Sequence, residues 1–202
     1  IRDRLMVHLG PRGTGKTTVL RVQEALIDHF IGPEAVRNCA ISNTAARLLG
    51  GDTMHALCKL PPHGLQGKRG KLSAAVLRNH RQKWDSARAV FIDEVTMVGK
   101  AQLHQCDVRI RPAKQEPLKR FGGIATVAAD DFMQLHPVDK SATIAIPMND
   151  ACAMPNTTAT SDGHTSDKDA EPVHADGVQR HGHELWHSFT TIVFLTQNMR
   201  AK

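Results

Sequence analysis

The sequence predicts an α/β fold, a parallel sheet flanked by helices. Three observations predict it. Short apolar runs alternate with helical spacings along most of the chain. One run, Ala89-Val-Phe-Ile92, is continuously apolar, as a strand covered on both faces of a parallel sheet must be. Aromatic residues make up only 4% of the chain, with six Phe, two Trp and no Tyr, which disfavours sandwiches and barrels built on aromatic and β-branched strands.

In chain order, Leu5-Met-Val-His-Leu9 reads as a strand ending at Gly10. Val19, Val22, Leu26 and Phe30 then recur at helical spacing over Lys16 to Phe30. Ala35 to Ser42 reads as a second strand, followed by a short helix over Thr44 to Leu49 that Gly50 and Gly51 end. Another helix starts at Thr53, and Leu72 to Trp84 is helical. After the strand at Ala89–Ile92, a helix is expected from Met97 to Ile110, with Leu103, Cys106 and Ile110 on one face. Ile124 to Ala129 and Thr191 to Leu195 supply the last strands. Residues 1–140 and 184–202 thus form the core. Between them, 141–183 is rich in Ala, Thr, Ser, Asp, His and Pro without periodicity, and is expected to be a disordered or loosely packed insert. Its His164, His174, His181 and His183 have no metal-ligand spacing and fit a solvated loop better.

The 202 residues are 41% apolar, enough for a real core and against disorder throughout. Net charge is +6, divided unevenly: residues 1–140 carry 22 basic and 13 acidic groups, 141–202 carry 4 and 7. A basic body suits a polyanion such as nucleic acid, and suits a solubilising surface equally. From Lys59 to Arg88 there are eight Lys or Arg against the single acid Asp85, a stretch that could contact phosphates or form a solvated helix face. No run approaches the roughly 20 apolar residues of a membrane span, and no signal peptide is evident, so no membrane partner is expected. Cys39, Cys58, Cys106 and Cys152 lack metal or disulfide spacing, which suggests reduced thiols inside a cell. A chain that begins at Ile1 and stops at Lys202, soon after an apolar segment, is expected to be a piece of something longer.

Chemistry concentrates at Gly10-Pro-Arg-Gly-Thr-Gly-Lys16-Thr17, which fits G-x-x-x-x-G-K-[ST] between a predicted strand and a predicted helix. Gly10, Gly13, Thr14 and Gly15, with Thr18, would present the loop and helix N-terminus to phosphates of ATP. Lys16 would neutralise the β/γ charge, and Thr17 would ligate Mg²⁺. Asp93 and Glu94 follow an apolar strand; coupled to that loop, Asp93 would help hold Mg²⁺ and Glu94 would orient and deprotonate the attacking water.

Five stretches extend this pattern: GPRGTGKTTVL, SNTAARLLGGDTMHALCKLP, VFIDEVTMVGKAQL, FGGIATVAADDFMQLHPV and LWHSFTTIVFLTQNMR. In this order they resemble superfamily 1 DNA helicases of the petite-integration-frequency (PIF)/RecD-like group, especially the helicase parts of Helitron-type transposons. The resemblance implies the first RecA-like P-loop NTPase domain of an ATP-dependent DNA helicase moving 5′ to 3′ on single-stranded DNA, with the second RecA-like domain absent from this chain. It implies that Gln134 senses the γ-phosphate and that Arg200 reaches the same phosphate. Asn43, Thr44, Thr53 and His55 fall in segments that the family lays along single-stranded DNA, although Thr53 also suits a helix N-cap. Where the family usually has Gly-Asp-Phe this chain has Asp130-Asp131-Phe132, and where it has Leu-Pro-Pro-Val this chain has Leu135-His136-Pro137-Val138. A P-loop kinase or other NTPase without DNA, and an inactive transposon-derived remnant that only binds nucleotide or DNA, are the alternatives. An intracellular place is expected, nuclear or mitochondrial if the source is eukaryotic.

Overall fold

A computed structural model describes residues 4–60, 72–131, 144 and 175–199. Six parallel strands form one sheet: β1 (Leu5–Leu9), β2 (Val36–Ala40), β3 (Asp52–Thr53), β4 (Ala89–Asp93), β5 (Ala125–Asp130) and β6 (Thr191–Phe194). Their spatial order is β3-β2-β4-β5-β1-β6. β4 and β5 are buried along their whole length, as their unbroken apolar character requires.

Alternate residues of these strands feed two cores. Leu5, Val7, Val90 and Ile92 join Trp84, Leu103, Ile110, Phe121 and Leu185 on one face. Helices α3 (Met54–Cys58), α4 (Ala74–Asp85), α5 (Lys100–Ala113) and α6 (Ala175–Trp186) supply that layer. On the opposite face, Ala89, Phe91, Ala125 and Val127 pack with Leu20 of α1 (Lys16–Ile31) and Leu49 of α2 (Asn43–Leu49).

Hydroxyls set the short helices. Ser42 accepts from the Ala45 amide at 3.2 Å, and Thr53 accepts from the Ala56 amide at 3.2 Å, each satisfying a donor that the first turn leaves open. The expected helix from Met97 begins later. Val95–Met97 form a 3₁₀ turn, Val98 is extended, and the Gln102 side-chain Oε1 accepts from the Gly99 amide at 3.0 Å to start α5. In α1 the spacing located the helix but not its buried face. Leu20 is fully buried, whereas Val22, Leu26 and Phe30 are 55%, 53% and 79% exposed.

The insert expected over 141–183 requires correction at its C-terminal end. Residues 175–183 belong to α6, which packs on α5 through Leu185 and the fully buried Gly182 backbone. Leu185, Trp186 and Phe189 supply the apolar face that this stretch lacks when read by itself. Ile144 is buried in the same core, and the rest of 141–174 lies outside the described residues. Among the described residues no helix is long and apolar enough to cross a membrane.

Candidate active site

Parallel strands deliver their C-terminal ends to one edge of the sheet, and the site is built there. The register sets Leu9 beside Asp130, Asp93 beside Ala129, and Ala40 beside Asp93. The loop after β1, the carboxylates after β4 and the segment after β2 therefore meet.

Gly13 and Gly15 have φ of 88° and 87°, left-handed values that a side chain would strain. Gly15 occupies the N-cap of α1, which has no side-chain cap, so the first amides of the helix stay available to an anion. The Thr14 hydroxyl donates to the Pro11 carbonyl at 2.8 Å and ties the loop to itself. Lys16 folds back over it, its Nζ donating to the Gly10 carbonyl at 2.6 Å and to Pro11 at 3.1 Å. Arg12, Gly13, Gly15, Lys16, Thr17, Thr18 and Met199 line a cleft of about 360 Å³. The Met199 amide donates to the Gly13 carbonyl at 2.9 Å, which brings the segment after β6 to the loop. Arg12 and Met199 escape sequence reasoning, because neither belongs to the invariant positions of the loop pattern.

Beside the cleft the Thr17 hydroxyl donates to Asp93 Oδ2 at 3.3 Å, while Asp93 Oδ1 accepts from the Glu94 amide at 3.0 Å. Burial raises the Asp93 pKa, against the two hydrogen bonds, and the neighbouring Asp130 and Glu94 charges push the same way. A hard divalent cation at the Thr17–Asp93 oxygens would relieve that penalty, so the donor set fits Mg²⁺. Glu94 adopts φ 56°, ψ 42°, unusual for a residue with a Cβ, and its Oε2 accepts from the Ser42 hydroxyl at 2.8 Å.

Asp130 stands where the resembling family has glycine, yet it lies within β5 and has no positive φ. Its carboxylate turns to the neighbouring loop, where Oδ2 accepts from the Thr96 amide at 2.8 Å and from the Thr96 hydroxyl, and Oδ1 accepts from the Asp131 amide at 2.6 Å. The replacement is thus held by Thr96 and the Asp131 amide rather than lining the cleft.

Of the strand-contact candidates, Asn43 and Thr44 are exposed on the first turn of α2, Thr53 caps α3, and His55 is half-buried on α3. Thr53 pairs with Ala40, so these residues rise from the same sheet edge as Asp93. Three of the eight basic residues are engaged in structure: Lys83 pairs with Asp52 at 2.5 Å, Arg81 donates to Pro112 and Arg88 to the Asp85 carbonyl. Lys68, Arg69 and Lys71, like Gln134 and Arg200, lie outside the described residues. Nor are His181 and His183 loop residues. On α6, His181 stacks on His104 at 5.1 Å and His183 meets His187 at 4.3 Å. Among the described residues no cluster could hold a metal through three His, Cys, Asp or Glu. Cys39, Cys58 and Cys106 are reduced and share the α3–α5 core, where burial pushes the Cys39 and Cys106 thiols up.

Residues 2–153 match the family model of the PIF1-like helicase. The chain belongs to the PIF1-like helicase family. Over 136 residues it is 32% identical to the ATP-dependent DNA helicase PIF1 of Saccharomyces cerevisiae, covering 66% of this chain and 15% of that protein. The Candida albicans PIF1 is 34% identical over 139 residues, covering 67% and 15%. PIF1 of Bacteroides, solved in complex with ADP-AlF3 and single-stranded DNA, superposes with a TM-score of 0.56 at 27% identity, covering 68% of this chain and 30% of that one. The chain therefore spans a small part of its PIF1 relatives.

Proposed function

We propose that this chain is the first, nucleotide-binding motor domain of an ATP-dependent DNA helicase that couples ATP hydrolysis to 5′-to-3′ movement along single-stranded DNA. The observation that carries the reading is the Lys16-Thr17 loop, which lines the cleft and whose Thr17 hydroxyl meets Asp93 at the end of β4, in a chain of this family. The relatives' printed names and complexes, ATP-dependent helicase and single-stranded DNA, support the same substrate and partner.

In this mechanism the phosphates of ATP replace the Gly10 and Pro11 carbonyls as partners of Lys16. Amides of Gly13, Thr14 and Gly15, with the uncapped α1 terminus and Thr18, bind the phosphate oxygens. Thr17 and Asp93 hold Mg²⁺, which when bound neutralises charge developing on the transferred phosphoryl group. Glu94 accepts the proton of the attacking water. Gln134 would contact the γ-phosphate, and Arg200, which follows the cleft-lining Met199 in the chain, would contact the same phosphate. A second RecA-like domain closes the other wall of the cleft, and its alternation between open and closed moves the strand held at Asn43, Thr44, Thr53 and His55. The protein acts inside the cell, in the nucleus or mitochondria of a eukaryotic source.

Glu94→Gln tests the chemistry. In the full-length protein it should keep Mg-ATP affinity within about threefold and lose about 10²–10⁴ in turnover. Parent-like turnover would remove Glu94 from the reaction and the cleft from the hydrolytic reading.

A further inference from the structure

Resting on the helicase reading, a second role emerges at the segment after β2. Ala40 and Asp93 are register partners on adjacent strands, so Ser42 and Glu94 leave the sheet side by side. The Ser42 hydroxyl has one proton and gives it to Glu94 Oε2 at 2.8 Å. The same oxygen accepts the Ala45 amide at 3.2 Å and so caps α2. One atom thereby joins the carboxylate beside the nucleotide to the helix whose first turn exposes Asn43 and Thr44. Glu94 is held from its other end as well, with its amide on Asp93 and its backbone left-handed. Neither Ser42 nor Glu94 lines the cleft; Glu94 faces α2 instead.

We propose that Ser42 is the positioning residue for Glu94: it restrains the carboxylate away from the attacking water, and single-stranded DNA on Asn43 and Thr44 shifts α2 and releases it. The geometry makes the restraint dependent on α2, because any displacement of the helix N-terminus moves the shared oxygen. A carboxylate committed to a hydroxyl donor is a poorer acceptor for a water proton, which keeps turnover low without DNA.

The test is steady-state ATP hydrolysis by the full-length protein, with and without an oligo-dT strand, for the parent and three variants. Ser42→Ala removes both bonds and should raise DNA-free turnover about tenfold, the loss of one charge-assisted hydrogen bond, while turnover at saturating DNA stays within twofold. Ser42→Gly lacks the hydroxyl but caps a helix nearly as well as serine, so it should behave likewise and separate the restraint from helix stability. Ser42→Thr keeps donor and cap and should retain parent behaviour. Unchanged or lowered DNA-free turnover in both Ser42→Ala and Ser42→Gly, with the parent still stimulated by DNA, overturns the role of Ser42 alone. A parent that DNA does not stimulate overturns the helicase reading and this inference with it.

Discussion

His80 carries a pH dependence that can be calculated. It lies on α4, 1% exposed, its ring edge-on to Trp84 at 6.0 Å. Burial lowers its pKa from 6.5 to about 4, helped by the nearby Lys59, Arg109 and Lys83 charges and opposed by the nearby Arg109 backbone, while neither ring nitrogen has a hydrogen-bond partner. The folded state thus takes up a proton later than the unfolded state as pH falls. Stability associated with neutral His80 is complete above about pH 6.5 and declines below it until about pH 4, where the folded histidine also protonates. Between about pH 8 and about pH 5 the loss integrates to about 2 kcal/mol, or roughly 4–8 °C in Tm for a chain of this size. His8, His104 and His183 are shifted downward by burial too and add to the same trend, so the comparison must isolate one group. Urea denaturation of the parent and of His80→Leu, followed by Trp fluorescence at both pH values, does so. The parent should lose about 2 kcal/mol more than the variant over this range. Equal losses would mean that His80 is solvated and that its burial on α4 is wrong.

Three substitutions probe the rest. A Cβ on Gly182 would lie 1.9 Å from the Lys100 carbonyl oxygen and 2.4 Å from its carbon, so Gly182→Ala should force α6 off α5 and lower stability by about 1–3 kcal/mol in thermal denaturation; parent-like stability would contradict that contact. Lys16→Ala should weaken fluorescent ATP at least about tenfold, the bonds to Gly10 and Pro11 in the empty loop offsetting part of the loss; unchanged affinity would misplace the phosphate site. Thr17→Ala should weaken nucleotide when Mg²⁺ is present and leave binding in a chelator unchanged, and equal losses in both conditions would remove Thr17 from the cation site.

The strands and the loop were legible because their signals are local. An unbroken apolar run before Asp93 is what a strand covered on both faces requires, and Gly13 and Gly15 mark backbone with positive φ. Partner choice was less legible. The spacing of Val22, Leu26 and Phe30 declared a helix but not which side the sheet would cover, since burial of Leu20 depends on how α1 packs on β2 and β5. Residues 175–183 looked featureless because the helix they pack against, α5, lies far away in sequence. The Ser42–Glu94 and Thr96–Asp130 bonds span 52 and 34 residues; a serine before a helical run signals a cap, but nothing in the chain order says that its proton goes to Glu94. In the same way the chain order marks Asp130 as a departure from the family's glycine but does not show that Thr96 holds its carboxylate.

Directional movement on single-stranded DNA is the central claim, and displacement of streptavidin from biotinylated oligonucleotides measures it most directly. With Mg-ATP, the full-length protein should strip streptavidin from a 3′-terminal biotin much faster than from a 5′-terminal one, and Lys16→Ala should abolish the difference. Equal and slow release from both ends by an ATP-hydrolysing parent would contradict the account, leaving an NTPase whose cleft does no work on DNA.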